Sequence, residues 1–175
     1  MVESSVTAWE GEANGTSASR QRRPMSDRGR EWTEEEFIHT IEKRCRDAVA
    51  PARQILDWAH GEAGITVEGG RGPRHPSLAL RVEIGGARAP LLLARLADFY
   101  PSARLEVAFA SLRDHGAFAD ERVSHDFYRR FADLGAFQST RGSTRPTVPL
   151  AQIADAQPME SVLGILRDMA RLARE

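Results

Sequence analysis

Apolar residues return at three- and four-residue steps from Thr33 to His60: Phe37, Ile38, Ile41, Cys45, Ala48, Val49, Ala52, Ile55, Leu56 and Ala59. That period predicts an amphipathic helix. Pro51 falls inside it. Its ring removes an N–H and crowds the preceding turn, so the run should kink or divide into two consecutive helices. Gly61 and Gly64 mark its end. The period then changes to two. Ile65-Thr66-Val67 reads as a short strand, and Leu78, Leu80, Val82 and Ile84 alternate with Ala79, Arg81 and Glu83 in the clearest strand of the chain. Gly85-Gly86 suits a two-residue hairpin turn. The return strand runs from Leu91 to Leu96, with Pro90 arguing for an edge or a late start. Leu105, Val107 and Phe109 suggest a further strand, although Leu105, Ala108, Phe109 and Leu112 also fit a helix. Helical spacing resumes at Val123, Phe127, Phe131 and Leu134. Residues 138–147 form a polar loop, and Val148-Pro149-Leu150 leads into a final helix with Pro158 in its first turn and Met159, Val162, Leu163, Leu166, Met169 and Ala170 on its apolar stripe. The predicted fold class is α+β: an N-terminal kinked helix, an antiparallel meander of three to four strands, and two C-terminal helices covering one sheet face.

Where the domain begins is written in Trp32-Thr33-Glu34-Glu35-Glu36-Phe37. Thr33 and Glu36 have the spacing of a capping box, and Trp32 and Phe37 occupy the staple positions around it. Three acidic residues in the first turn complement the helix dipole. Residues 1–31 are rich in Gly, Ser, Ala, Glu and Arg without an apolar period, which predicts a disordered Arg-containing tail ahead of a single domain over 32–175. Arg20, Arg22, Arg23, Arg28 and Arg30 make that tail locally basic, and Met25 offers an alternative start.

Composition narrows the function classes. At 175 residues the chain suits one domain. A formal net charge of −1 gives no global attraction to nucleic acid or acidic membranes. No apolar run reaches the roughly 18 residues of a membrane span, and residues 1–25 lack the apolar centre of a signal peptide, so the expected location is cytoplasmic. Cys45 is the single cysteine, which excludes an internal disulfide; on the apolar stripe of the first helix it reads as a small buried hydrophobe.

Candidate chemistry is sparse. Gly69-Gly70-Arg71-Gly72 resembles a phosphate cradle, yet Pro73, Pro76 and a strand follow where a helix N-terminus is needed, so a strand-connecting loop is expected. His39, His60, His75, His115 and His125 show no metal-ligand spacing. Glu68, Glu83 and Glu106 lie on strand segments and would be the carboxylates of a degenerate hydrolase or nuclease, but the one lysine, Lys43, is on the first helix. Alternation places Glu83 and Glu106 on solvent-facing positions. Arg122, His125, Arg129 and Arg130 form a basic stripe diluted by Asp120, Glu121, Asp126 and Asp133, as expected of a solvated helix face.

From Trp32 to about residue 172 the chain resembles a family of small uncharacterised bacterial α+β domains that begin W-x-x-E-E-F and carry a late R-P-x-[IV]-P-L element. The matching positions are Trp32 to Phe37, Ile55-Leu56-Asp57-Trp58-Ala59, Gly64-Ile65, Gly70-Arg71-Gly72 and Arg145-Pro146-Thr147-Val148-Pro149-Leu150. The chain departs where relatives have Trp-Gly and it has Val67-Glu68-Gly69. The resemblance implies a fold and no named chemistry; it also implies an association with nucleic-acid-linked bacterial systems. The expected function is therefore a non-enzymatic interaction module without cofactor. Its ligand would be a protein or nucleic acid met by Arg71, Arg74 and His75 in the glycine loop and by Arg141 and Arg145 in the second polar loop. A homodimer that covers the open sheet face is the structural alternative.

Overall fold

The computed structural model describes residues 30–72, 75–84, 89–99, 101–135 and 146–175. The capping box forms as its spacing requires: Glu36 N–H donates to Thr33 Oγ1 at 3.2 Å, and Thr33 N–H donates to Glu36 Oε2 at 3.1 Å. Helix α1, Glu34–Arg44, starts there. The long helical run does divide, but at Cys45 rather than Pro51. Cys45 leaves helical geometry at φ −144° and ψ 61°, a single 3₁₀ turn follows at Arg46–Ala48, and α2 spans Val49–Gly61. Pro51 then lies in the first turn of α2, where its missing N–H has no helical partner to lose. Cys45 is half-buried against the core, as its place on the apolar stripe suggested, and its thiol also meets the Pro101 carbonyl oxygen at 3.0 Å.

Five strands make one antiparallel sheet in the order β1-β2-β3-β4-β5. They are β1 Ile65–Gly69, β2 Ser77–Val82, β3 Leu91–Phe99, β4 Ser102–Val107 and β5 Thr147–Pro149. The first four form the expected meander, with β3 starting just after Pro90. The fifth strand is an addition: Val148-Pro149, expected only to lead into the last helix, pairs with β4 through Leu105↔Val148. Both readings of residues 105–112 hold in succession, since β4 ends at Val107 and a short helix α3 occupies Phe109–Leu112. Helix α4 covers Glu121–Ala132 and α5 covers Ala156–Arg174, with Pro158 in the first turn of α5. The β2–β3 ladder closes at Val82↔Leu91, so the connection runs over 83–90; the Gly85-Gly86 turn lies outside the described residues. The tail over 1–29 and most of the polar loop over 138–147 also lie outside them.

The helices bury one face of the sheet. Leu78, Leu80 and Val82 of β2, Ala94 and Leu96 of β3, and Leu105 and Val107 of β4 pack into one cluster with Phe37, Ile41, Ile55, Leu166 and Met169. A bulge in β3 adjusts the alternation: Leu80 pairs with Ala94 but Arg81 pairs with Leu92, which leaves Leu93 as the extra residue. Leu93 is buried, and its carbonyl accepts the Ala108 N–H at 3.0 Å where α3 begins. Among the described residues no helix is long and apolar enough to cross a membrane.

Candidate functional site

The register writes a polar checkerboard on the other face of the sheet. Glu68 faces Ala79, Ala79 faces Arg95, Arg95 faces Glu106, and Glu106 faces Thr147, so one row crosses all five strands. Thr66, Arg81 and Leu92 form the row on one side of it, and Ser77, Ala97, Arg104 and Pro149 the row on the other. Arg81 reaches diagonally to Glu68, and Arg95 Nε donates to Glu106 Oε2 at 2.7 Å. The Arg95 guanidinium also lies over the Phe99 ring, 5.9 Å from its centre.

This face is open along β1 and β2, where Thr66 and Glu68 are exposed. It closes towards β4: Ala97 is 3% and Glu106 8% exposed. The expectation of a solvent-facing Glu106 is thus corrected. Its polar phase was right, but neighbouring structure covers it and Arg95 satisfies its charge. Glu83 lies beyond the end of β2 and is exposed, as its position suggested.

The row arrangement also sets what the carboxylates can do. Glu68 and Glu106 are three strand spacings apart, about 14 Å at about 4.8 Å per spacing. Paired catalytic carboxylates work at about 5–9.5 Å, and each of these two already holds a separate arginine. Among the described residues no group of three or more His, Cys, Asp or Glu side chains could hold a metal ion.

The glycine loop borders the open end of this face. Together they form a groove of about 610 Å³ whose walls include Glu31, Gly70, Arg71, His75, Arg81 and Arg95. Two of the sequence-predicted binding residues, Arg71 and His75, therefore flank one recess; Arg74, Arg141 and Arg145 lie outside the described residues. Arg71 approaches Glu31 at 3.4 Å with both side chains largely exposed, a pair of small energetic weight.

Trp32 joins the segment ahead of α1 to this loop. Its backbone N–H donates to Gly70 O at 3.1 Å and its indole Nε1–H to Gly72 O at 2.7 Å. Gly70 N–H in turn donates to Ser77 O at 2.7 Å, tying the loop to β2. The spacing around the capping box offered Trp32 as a helix staple, and its two donors also clamp the glycines. The indole Nε1–H, which needs an acceptor when covered, was the signal available in the sequence. The glycines answer a steric demand. A Cβ on Gly69 would run into the Trp32 carbonyl, and one on Gly70 into Ser77. Gly69→Ala is expected to cost about 1–3 kcal/mol, because backbone must move to accept the methyl. Urea unfolding monitored by tryptophan fluorescence measures it, and Gly61→Ala, whose Cβ would meet nothing within 4 Å, is the control.

Arg81, Arg95 and Trp32 were not singled out as site residues from sequence. Alternation placed the first of them on the wet face, but only pairing across strands shows which carboxylate each arginine meets. No protein-family model matches this chain, no curated protein matches its sequence, and no solved structure matches its fold.

Proposed function

We propose that this chain is a non-enzymatic interaction module that receives a polypeptide partner on the groove between the glycine loop and the open rows of the sheet. The observation that carries the reading is the pairing of charge there: Arg71 with Glu31, Arg81 with Glu68, and Arg95 with Glu106. Among the described residues such a surface has donors and acceptors of both signs but little surplus charge. A partner with its own mixed charges can exchange ion pairs with it, and complementarity of that kind gives specificity and register. A phosphate backbone instead draws on unpaired cations and the counterions they release. Glu68 and Glu106 stand three strands apart on the sheet, about 14 Å along its backbone, each on its own arginine, which favours binding over hydrolysis.

A photo-reactive side chain at Thr66 or Ala79, in the full-length chain expressed in cells, tests this. A discrete adduct is expected from these positions and not from Arg53 on α2, and Glu68→Arg should abolish it. Absence of any groove-specific adduct would overturn the reading. A dimer of the chain as the sole adduct, matched by a dimer in light scattering, would replace the partner with a second copy. Binding to random duplex DNA that weakens steeply with salt would move the module to a nucleic-acid role.

A further inference from the structure

Helices α3 and α4 flank a second, open recess of about 440 Å³, which the sheet-face reading does not use. Its size lies within the usual range of small-molecule sites. Glu121, Ser124, His125 and Tyr128 line it from α4. Their spacing of three, one and three residues places them on one helical stripe. His125 lines this recess, while Arg129 and Arg130 are held by Asp126 and Asp168. Phe109 and Pro146 form the opposite apolar wall. Phe109 is fixed between two rings, 6.3 Å from Tyr128 and 6.4 Å from Phe131.

Two exposed, opposite charges stand at this recess. Arg113 and Glu121 both line it, yet neither forms an ion pair with the other or with any described residue. Ser124 adds a buried Oγ that has no hydrogen-bond partner. One free cation, one free anion and an aromatic wall call for a ligand that carries the complementary set.

We propose that this recess binds a free aromatic α-amino acid. The ligand carboxylate meets the Arg113 guanidinium, whose fork matches it bidentately. The ammonium meets Glu121, and the ring packs against Phe109, Tyr128 and Pro146. A zwitterion engages both charges at once, whereas a simple carboxylate or a simple amine engages one.

Calorimetric titration of the full-length chain with L-tryptophan and L-phenylalanine tests the site, with indole-3-propionate and tryptamine as the analogues lacking one charge each. Saturable binding is expected for the amino acids, with each analogue weaker. Arg113→Ala and Glu121→Gln should each weaken L-tryptophan binding about tenfold, equivalent to about 1.4 kcal/mol. Both side chains are exposed, so far-UV circular dichroism of the variants should match the parent chain. Arg53→Ala, on α2, should bind like the parent. No saturation at millimolar amino acid, analogues that bind as tightly as L-tryptophan, or binding untouched by both charge variants would each overturn the proposal. Arg81→Ala separates the two sites: it perturbs the sheet-face groove and should leave this titration unchanged.

Discussion

Phe131→Ala is expected to lower the unfolding free energy by about 3–5 kcal/mol, a large part of the stability of a domain this size. Phe131 is fully buried at the inner side of α4 and meets Phe109 edge-on, 77° between ring planes. Removing it deletes the apolar area that anchors α4 and leaves a cavity that helix and sheet cannot both close around. Guanidinium unfolding reads the change as a lower midpoint with an unaltered slope. Phe99→Ala is the control. Phe99 is the exposed large hydrophobe of the described chain, at 39%, and its loss should shift stability by no more than about 0.5 kcal/mol. A Phe131 variant as stable as the Phe99 one would mean that α4 is not docked as described. The substitution also bears on the second recess, because Phe109 loses one of the two rings that hold it.

The second large effect is electrostatic. Asp98 sits on the covered face of β3, completely buried, and its Oδ2 accepts from Arg44 Nη1 at 2.7 Å. Its other oxygen, Oδ1, has no partner. Arg44→Ala strands that carboxylate among apolar side chains. Breaking a buried pair from one side costs about 3–5 kcal/mol. The Arg44 side chain is 41% exposed, so water reaches its end of the pair and a cost of about 2–3 kcal/mol is expected here. The double variant Arg44→Met with Asp98→Leu should recover most of the loss, since a well-packed apolar pair can replace a buried ion pair at little cost. Urea titration of Arg44→Met, Asp98→Leu and the double variant closes the cycle. If Arg44→Ala alone were neutral, the ion pair would have no role in seating α1 on the sheet.

These predictions touch the parts of the molecule that were least readable from the chain. Asp98 stands in phase with Ala94 and Leu96, and a carboxylate in a buried phase is a signal that something must meet it. Nothing local says that the partner is Arg44, 54 residues earlier at the end of α1. The same applies to β5. Thr147-Val148-Pro149 is too short to declare itself a strand, and it becomes one because β4 offers an unpaired edge. The helix break was misplaced for a related reason. Proline is harmless in a first turn, and the chain turns at Cys45, where the thiol finds a carbonyl on the β3–β4 connection.

Local chemistry carried the rest. The capping box formed at Thr33 and Glu36 because its groups lie within a single turn, and the two apolar periods marked helix and strand because burial demands one apolar face from each. Those are short-range consequences of residue type and order, so the sequence alone determined the α+β class, the meander and the phase of its polar face. Tertiary structure decided which charges meet across strands, where the bulge turns Leu93 inward, how Trp32 clamps the glycine loop, and that Arg113 and Glu121 face one recess unpaired. Each of these depends on the register and closure of segments far apart in the chain, and no local propensity contains that information.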